Sequence, residues 1–164
     1  MPVKPSVVVN SSPLIALVAA LPDFDLLGEI VERCIVPAEV IAELNAGGQK
    51  DETAARVLAA RWCEVRSERP VVADPLVPRL GASEAAVIQT AVVEGLPHVV
   101  IDEVRGRRAA RLAGLRVLGS LGLLVELHRA RLLPSIEESI QRMQRKGIFL
   151  APHLIQMTLA ATRN

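Results

Sequence analysis

Apolar residues in this chain fall into short β-branched runs, each followed within a few positions by a stretch with helical spacing. Val7-Val8-Val9 is the first run, and Ser12 with Pro13 supplies an N-cap and a first-turn proline for a helix through Leu14 to Ala20. Residues around Asp23 to Val31 predict a second short helix, and Cys34-Ile35-Val36 a second strand. Pro37 then opens a helix carrying Val40, Ile41 and Leu44, stopped by Asn45 and the Gly47-Gly48 pair. A further helix from about Asp51 to Ala60 leads into Trp62-Cys63-Glu64-Val65, a third strand, and Pro70 to Pro78 read as a surface loop. Ser83 is positioned to cap a helix from Glu84 to about Glu94, whose apolar stripe is Val87, Ile88, Ala91 and Val92. His98-Val99-Val100-Ile101 predicts a fourth strand with Asp102 as its last residue, then a basic helix over about Arg105 to Ala113, and Arg116-Val117-Leu118 a fifth strand. Helices near Leu121 to Arg131, Ser135 to Arg145 and His153 to Ala161 complete the pattern.

Strands alternating with helices imply a parallel sheet covered on both faces. The expected class is therefore α/β, a three-layer α/β/α arrangement around a doubly wound, mainly parallel sheet of about five strands. The 164 residues suit one domain over 1–164 with a C-terminal helical extension from about 119, and no repeat or low-complexity stretch interrupts it.

Composition narrows the partners. Hydrophobic residues make up 51% of the chain and its mean hydropathy is +0.35, so part of the apolar surface is expected to lie in an interface, as in a homodimer or higher oligomer. Nineteen Lys and Arg against eighteen Asp and Glu leave a formal charge of +1, so nucleic-acid binding would rest on local patches and not on a global field. With only Phe24, Trp62 and Phe149 as aromatics, base stacking gives way to backbone contacts. Cys34 and Cys63 lack metal or redox spacing and read as reduced core residues, and no apolar run approaches the roughly 20 residues that span a bilayer. A cytoplasmic protein is expected.

The chemistry is concentrated at strand ends. Asn10, Glu43, Glu84 and Asp102 sit where apolar runs stop or the following helices begin, and in an open parallel sheet those ends face a common crevice. Clustered carboxylates repel and raise one another's pKa, a penalty that a bound Mg²⁺ or Mn²⁺ removes. Taken singly, Glu84 also suits a first-turn acid favouring the helix dipole, and Asn10 a turn residue bonding the backbone near Ser11 and Ser12. Asp102 has less structural reason to cap an apolar strand.

Five ordered segments carry a resemblance. They are Val7 to Leu17; Ile35-Val36-Pro37 with Val40 and Glu43-Leu44; Gly81-Ala82-Ser83-Glu84-Ala85-Ala86; Val100-Ile101-Asp102-Glu103 with Arg107 to Ala110; and Val117 to Gly122. Together they resemble the PIN-domain superfamily, in its prokaryotic branch related to VapC-type toxin ribonucleases. The resemblance implies a PIN-like fold and a Mg²⁺- or Mn²⁺-dependent ribonuclease site whose catalytic residues fall on Asn10, Glu43, Glu84 and Asp102. Glu43, Glu84 and Asp102 would be the metal ligands, with Glu103 and Ser11 as additional candidates. The superfamily usually has Asp at the end of the first strand, where this chain has Asn10. A carboxamide keeps the oxygen but loses a charge, which should weaken metal binding.

Arg105, Arg107, Arg108 and Arg111 form the expected phosphate patch, since guanidinium forks pair with phosphate oxygens without reading sequence; the plain alternative is a solvated helix face. His98, His128 and His153 lack zinc spacing, and no glycine-rich phosphate loop is present. Apolar stripes around Leu121 to Leu127 and Ile148 to Leu159 are core or a groove for an antitoxin-like helix. Two functions are thus expected: an endoribonuclease acting on single-stranded RNA, slowed by Asn10 and acting as a toxin-type component, or a catalytically impaired module binding nucleic acid or protein.

Overall fold

The computed structural model describes residues 3–47, 52–68 and 80–163. Five strands, β1 (Ser6–Val9), β2 (Arg33–Val36), β3 (Cys63–Val65), β4 (His98–Val100) and β5 (Arg116–Leu118), form one sheet in the order β3-β2-β1-β4-β5. Every pairing is parallel. Valine at 7, 8 and 9 suits the centre of such a sheet, because both faces of β1 are covered and all three residues are buried. The shorter edge strands β3 and β5 are only partly buried.

The helices are α1 (Ser11–Ala20), α2 (Ala38–Ala46), α3 (Thr53–Ala59), α4 (Ala82–Val93), α5 (Val104–Leu112), α6 (Ser120–Arg129), α7 (Ile136–Arg145) and α8 (Pro152–Ala161). α1 packs with α3, α6 and α7, while α4 packs against β1, β4 and α5, which gives the three-layer architecture. α2 touches both α1 and α4. The chain leaves β1 toward β2 and later leaves β4 toward β5, so the strand order reverses between β1 and β4. That reversal opens a crevice beyond Val9 and Val100, the position at which open α/β sheets take their ligands. No helix among the described residues is long and apolar enough to cross a membrane.

Several boundaries differ from the sequence expectation. α1 begins at Ser11 with Asn10 as its N-cap residue, not at Ser12. Pro13 is therefore the third helical residue, where it costs nothing because the first-turn N–H groups have no intrahelical partner. α4 begins at Ala82 after Gly81, so Ser83 is inside the helix and is not its cap. The short helix expected around Asp23 to Val31 is a 3-10 helix over Phe24–Glu29, with the Asp23 carboxylate accepting from the Asp25 N–H at 3.0 Å. β4 ends at Val100, two residues before Asp102, although the Ile101 N–H still donates to the Leu118 carbonyl at 3.0 Å. The loop expected over Pro70 to Pro78, together with Gly48 and Asp51, lies outside the described residues.

Gly106, near the start of α5, lets that helix close onto the site. A Cβ there would stand 2.8 Å from the Cγ2 of Ile101, which is fully buried, and 3.5 Å from the Glu84 carboxyl carbon. Overpacking costs typically 1–3 kcal/mol, against at most about 1 kcal/mol gained from alanine's helix propensity. Gly106→Ala is therefore expected to lower stability by about 1–2 kcal/mol, read as a reduced urea midpoint with an unchanged slope. A midpoint at or above the wild-type value would contradict this packing.

Candidate functional site

The crevice is lined from four elements. Asn10 follows β1 and is almost wholly buried, at 2% exposure. Its N–H donates to the Val100 carbonyl at 3.0 Å, tying the ends of β1 and β4 together. Its side-chain oxygen Oδ1 is buried without a hydrogen-bond partner. A buried acceptor left unmatched costs about 1–3 kcal/mol, so this atom is one that a ligand would satisfy.

Glu84, in the first turn of α4, is also buried. Its carboxyl is hydrogen-bonded to that of Glu103, and this contact is the main reason its pKa rises from 4.5 to about 7. Burial and the negative charge of Glu103 push the same way, the Gly81 backbone N–H pulls down, and the Glu43 charge adds a smaller upward push. Such a contact requires one proton between two carboxyls. Glu43, on the outer side of α2, accepts a short hydrogen bond from the Ser83 hydroxyl, which also lies 3.4 Å from the Glu39 carbonyl. Ser83 thus joins α4 to α2, which is why it does not act as a cap.

Asp102 turns the other way. Its Oδ1 accepts from the Ser120 N–H and its Oδ2 from the Ser120 hydroxyl, each at 2.8 Å, at the first residue of α6. Gly119 makes room for this: a Cβ there would lie 3.2 Å from Asp102 Oδ1 and 2.9 Å from Arg107 Nη1. Ser120 was not anticipated. Its signal in the sequence was the Gly119-Ser120 step before an apolar run, a helix start whose free N–H groups suit an acid.

The structure therefore brings Glu43, Glu84 and Glu103 into one neighbourhood and holds Asp102 beside it against α6. Among the described residues no three Asp, Glu, His or Cys side chains close into a ready-made cation cage. Ser11 is buried in the first turn of α1. Of the arginines, Arg105, Arg108 and Arg111 are exposed on α5, but Arg107 is half-buried and donates to the Ile101 carbonyl at 2.9 Å. Burial lowers the Arg107 pKa, with the Arg111 charge adding to the effect and Asp102 opposing it. Arg107 braces the loop after β4, so the exposed set on this helix is the other three.

Glu84 sets a pH dependence. Its folded-state pKa, about 7, lies above the ordinary 4.5, so folding favours the protonated form. That contribution is fully present below pH 4.5 and is lost as pH rises through 7. Glu84→Gln, which removes the charge, should match the wild type near pH 4.5 and exceed it by about 1 kcal/mol at pH 8, the linkage effect being reduced by solvent screening. Thermal melts across that range check it; a wild type more stable at pH 8 than at pH 5, with no gain in the variant, would contradict the crowding.

The sequence profile of the PIN domain matches residues 6–164. No curated protein and no solved structure matches the chain. With a match running from the first strand through the last helix of this doubly wound sheet, and with acids gathered at its switch point, the chain belongs to the PIN-domain family.

Proposed function

We propose that the chain is a Mg²⁺- or Mn²⁺-dependent endoribonuclease, slowed by Asn10. PIN domains have a nuclease-like fold and generally depend on divalent cations. The observation that carries the reading is Glu84, a buried carboxyl hydrogen-bonded to the Glu103 carboxyl, which that contact, burial and the neighbouring charges of Glu103 and Glu43 raise to about 7. At the end of β1, the Asn10 Oδ1 is buried without a partner. These are hard oxygen donors, the type that Mg²⁺ and Mn²⁺ take, and they fit such an ion in chemistry and in their unmet charge and hydrogen bonding. The cation supplies neutralisation of the carboxylates and Lewis-acid polarisation of a phosphodiester.

Glu43, Glu84 and Asp102 would hold the ion, with Glu103 giving up its contact with Glu84 as the shared proton leaves. Asn10 would present a neutral oxygen. Arg105, Arg108 and Arg111 would hold the RNA backbone as a row of phosphate contacts that position the strand without reading its sequence. Ser120 and Arg107 are positioning residues for Asp102 and its loop.

A second reading has its own support: with Asn10 in place of the customary acid and Asp102 already satisfied by Ser120, the fold also suits a catalytically impaired module that binds RNA or protein. Exposed Phe149, Leu154 and Met157, at 85%, 42% and 66%, support a protein partner such as an antitoxin-like helix or a second copy. The direct test is incubation with single-stranded RNA at pH 8 in Mn²⁺ or in EDTA. Fragments in Mn²⁺ alone are expected. Equal cleavage in both defeats the metal-dependent reading, and no cleavage in either leaves the binding module.

A further inference from the structure

We propose that the cleft between the C-terminal ends of α1 and α7 is a second ligand site, which binds a phosphorylated nucleoside. α1 starts at the catalytic crevice and runs back under the sheet, so its last turn lies at the opposite pole, away from Glu84 and Asp102. There an open cavity of about 320 Å³, within the range of small-ligand sites, has Leu21 and Pro22 in its apolar floor. Arg56 of α3 and Arg142, Arg145 and Lys146 of α7 and its C-cap line its walls, with Glu52 as the one acid.

Charge accounting separates a ligand site from ordinary capping. Two helix ends present about half a negative charge each, and Arg142 serves this role by donating to the Ala20 carbonyl at 3.4 Å. Arg56 contacts Glu52 at 3.6 Å, and Arg142 contacts the exposed Glu138 at 3.9 Å. Setting both acids and both helix ends against the four cations still leaves about one full positive charge. Arg145 and Lys146 make no ion pair with the described residues. Solvent-facing pairs at such distances hold their partners weakly, so Arg56 is also free to turn to a stronger anion.

Guanidinium forks match phosphate oxygens in pairs, while Lys146 adds a point charge. The apolar floor would cover a base or ribose, which an inorganic anion does not need. A free nucleotide and the 5′-phosphorylated end of an RNA strand share this chemistry.

Calorimetric titration of the full chain in EDTA tests the site with ADP, adenosine, pyrophosphate, polyglutamate and a short RNA bearing either a 5′-phosphate or a 5′-hydroxyl. ADP or the phosphorylated strand should bind, more tightly than adenosine or pyrophosphate. Whichever of the two is tighter identifies the source. Affinity should fall at least about tenfold in the R145A/K146A double variant and with added salt, and should persist in Glu84→Gln, which separates this site from the catalytic crevice. The proposal is overturned if neither phosphorylated nucleoside binds, if the double variant binds as well as the wild type, if pyrophosphate matches ADP, or if polyglutamate alone binds.

Discussion

Asp102→Asn is expected to lower Mn²⁺-supported RNA cleavage by about 100-fold or more, equivalent to roughly 2.7 kcal/mol of lost transition-state stabilisation. The substitution is nearly isosteric, and the Ser120 contacts explain why it isolates charge. An asparagine Oδ1 still accepts from the Ser120 N–H, and the Ser120 hydroxyl can reverse to accept from the new amide. Folding should therefore change little, whereas Asp102→Ala would leave Ser120 without its acceptor and confound activity with stability. Circular dichroism and a melting temperature close to wild type, combined with the lost cleavage, would place Asp102 in the chemistry. Undiminished cleavage in Asp102→Asn would remove it from the site.

The second large effect runs in the other direction. Asn10→Asp should tighten Mn²⁺ binding by about tenfold or more and raise cleavage, because it adds a charged ligand at a buried position. Without metal the same change adds a carboxylate to a crevice where Glu43, Glu84 and Glu103 already crowd one another, so the metal-free variant should be less stable at pH 8 by about 1–3 kcal/mol. Mn²⁺ should return that stability by mass action. The pairing of apo destabilisation with metal rescue is the signature to seek in melts with and without Mn²⁺. If cleavage appears only in Asn10→Asp, the natural chain is the binding module. If the variant gains neither affinity nor activity, Asn10 has no part in holding a cation.

The five strands were legible because β-branched runs such as Val7 to Val9 and Cys34 to Val36 have few other uses when buried on both faces. The parallel sheet followed from the alternation of those runs with helical periods. Helix starts were less legible. Ser12 and Ser83 have the chemistry of N-caps, but one is a first-turn residue of a helix opened by Asn10, and the other's hydroxyl is spent on Glu43, some 40 residues away in sequence. A local rule cannot see a competing partner that only the fold delivers.

The site shows the same division. The places of Asn10, Glu84 and Asp102 at strand and helix ends were readable from the sequence. Their directions were not. Asp102 and Glu103 are neighbours that face apart, one toward Ser120 and the other toward Glu84, so Glu103 enters the crowded carboxylate group while Asp102 is held beside α6. Arg107 belongs by sequence to a basic helix face, but the helix turns it inward to the Ile101 carbonyl. Ser120 escaped notice because a lone serine before an apolar run is common and only the approach of α6 to the loop after β4 gives it a partner.

The most direct measurement is anomalous scattering from crystals soaked in Mn²⁺ at pH 8, above the Glu84 pKa of about 7. The account predicts a peak in the crevice between the ends of β1 and β4, held by Glu43, Glu84 and Asp102 with the Asn10 oxygen facing it, and the Glu84–Glu103 contact broken. An empty crevice with that contact intact at saturating Mn²⁺, or a peak held elsewhere on the molecule, would contradict it.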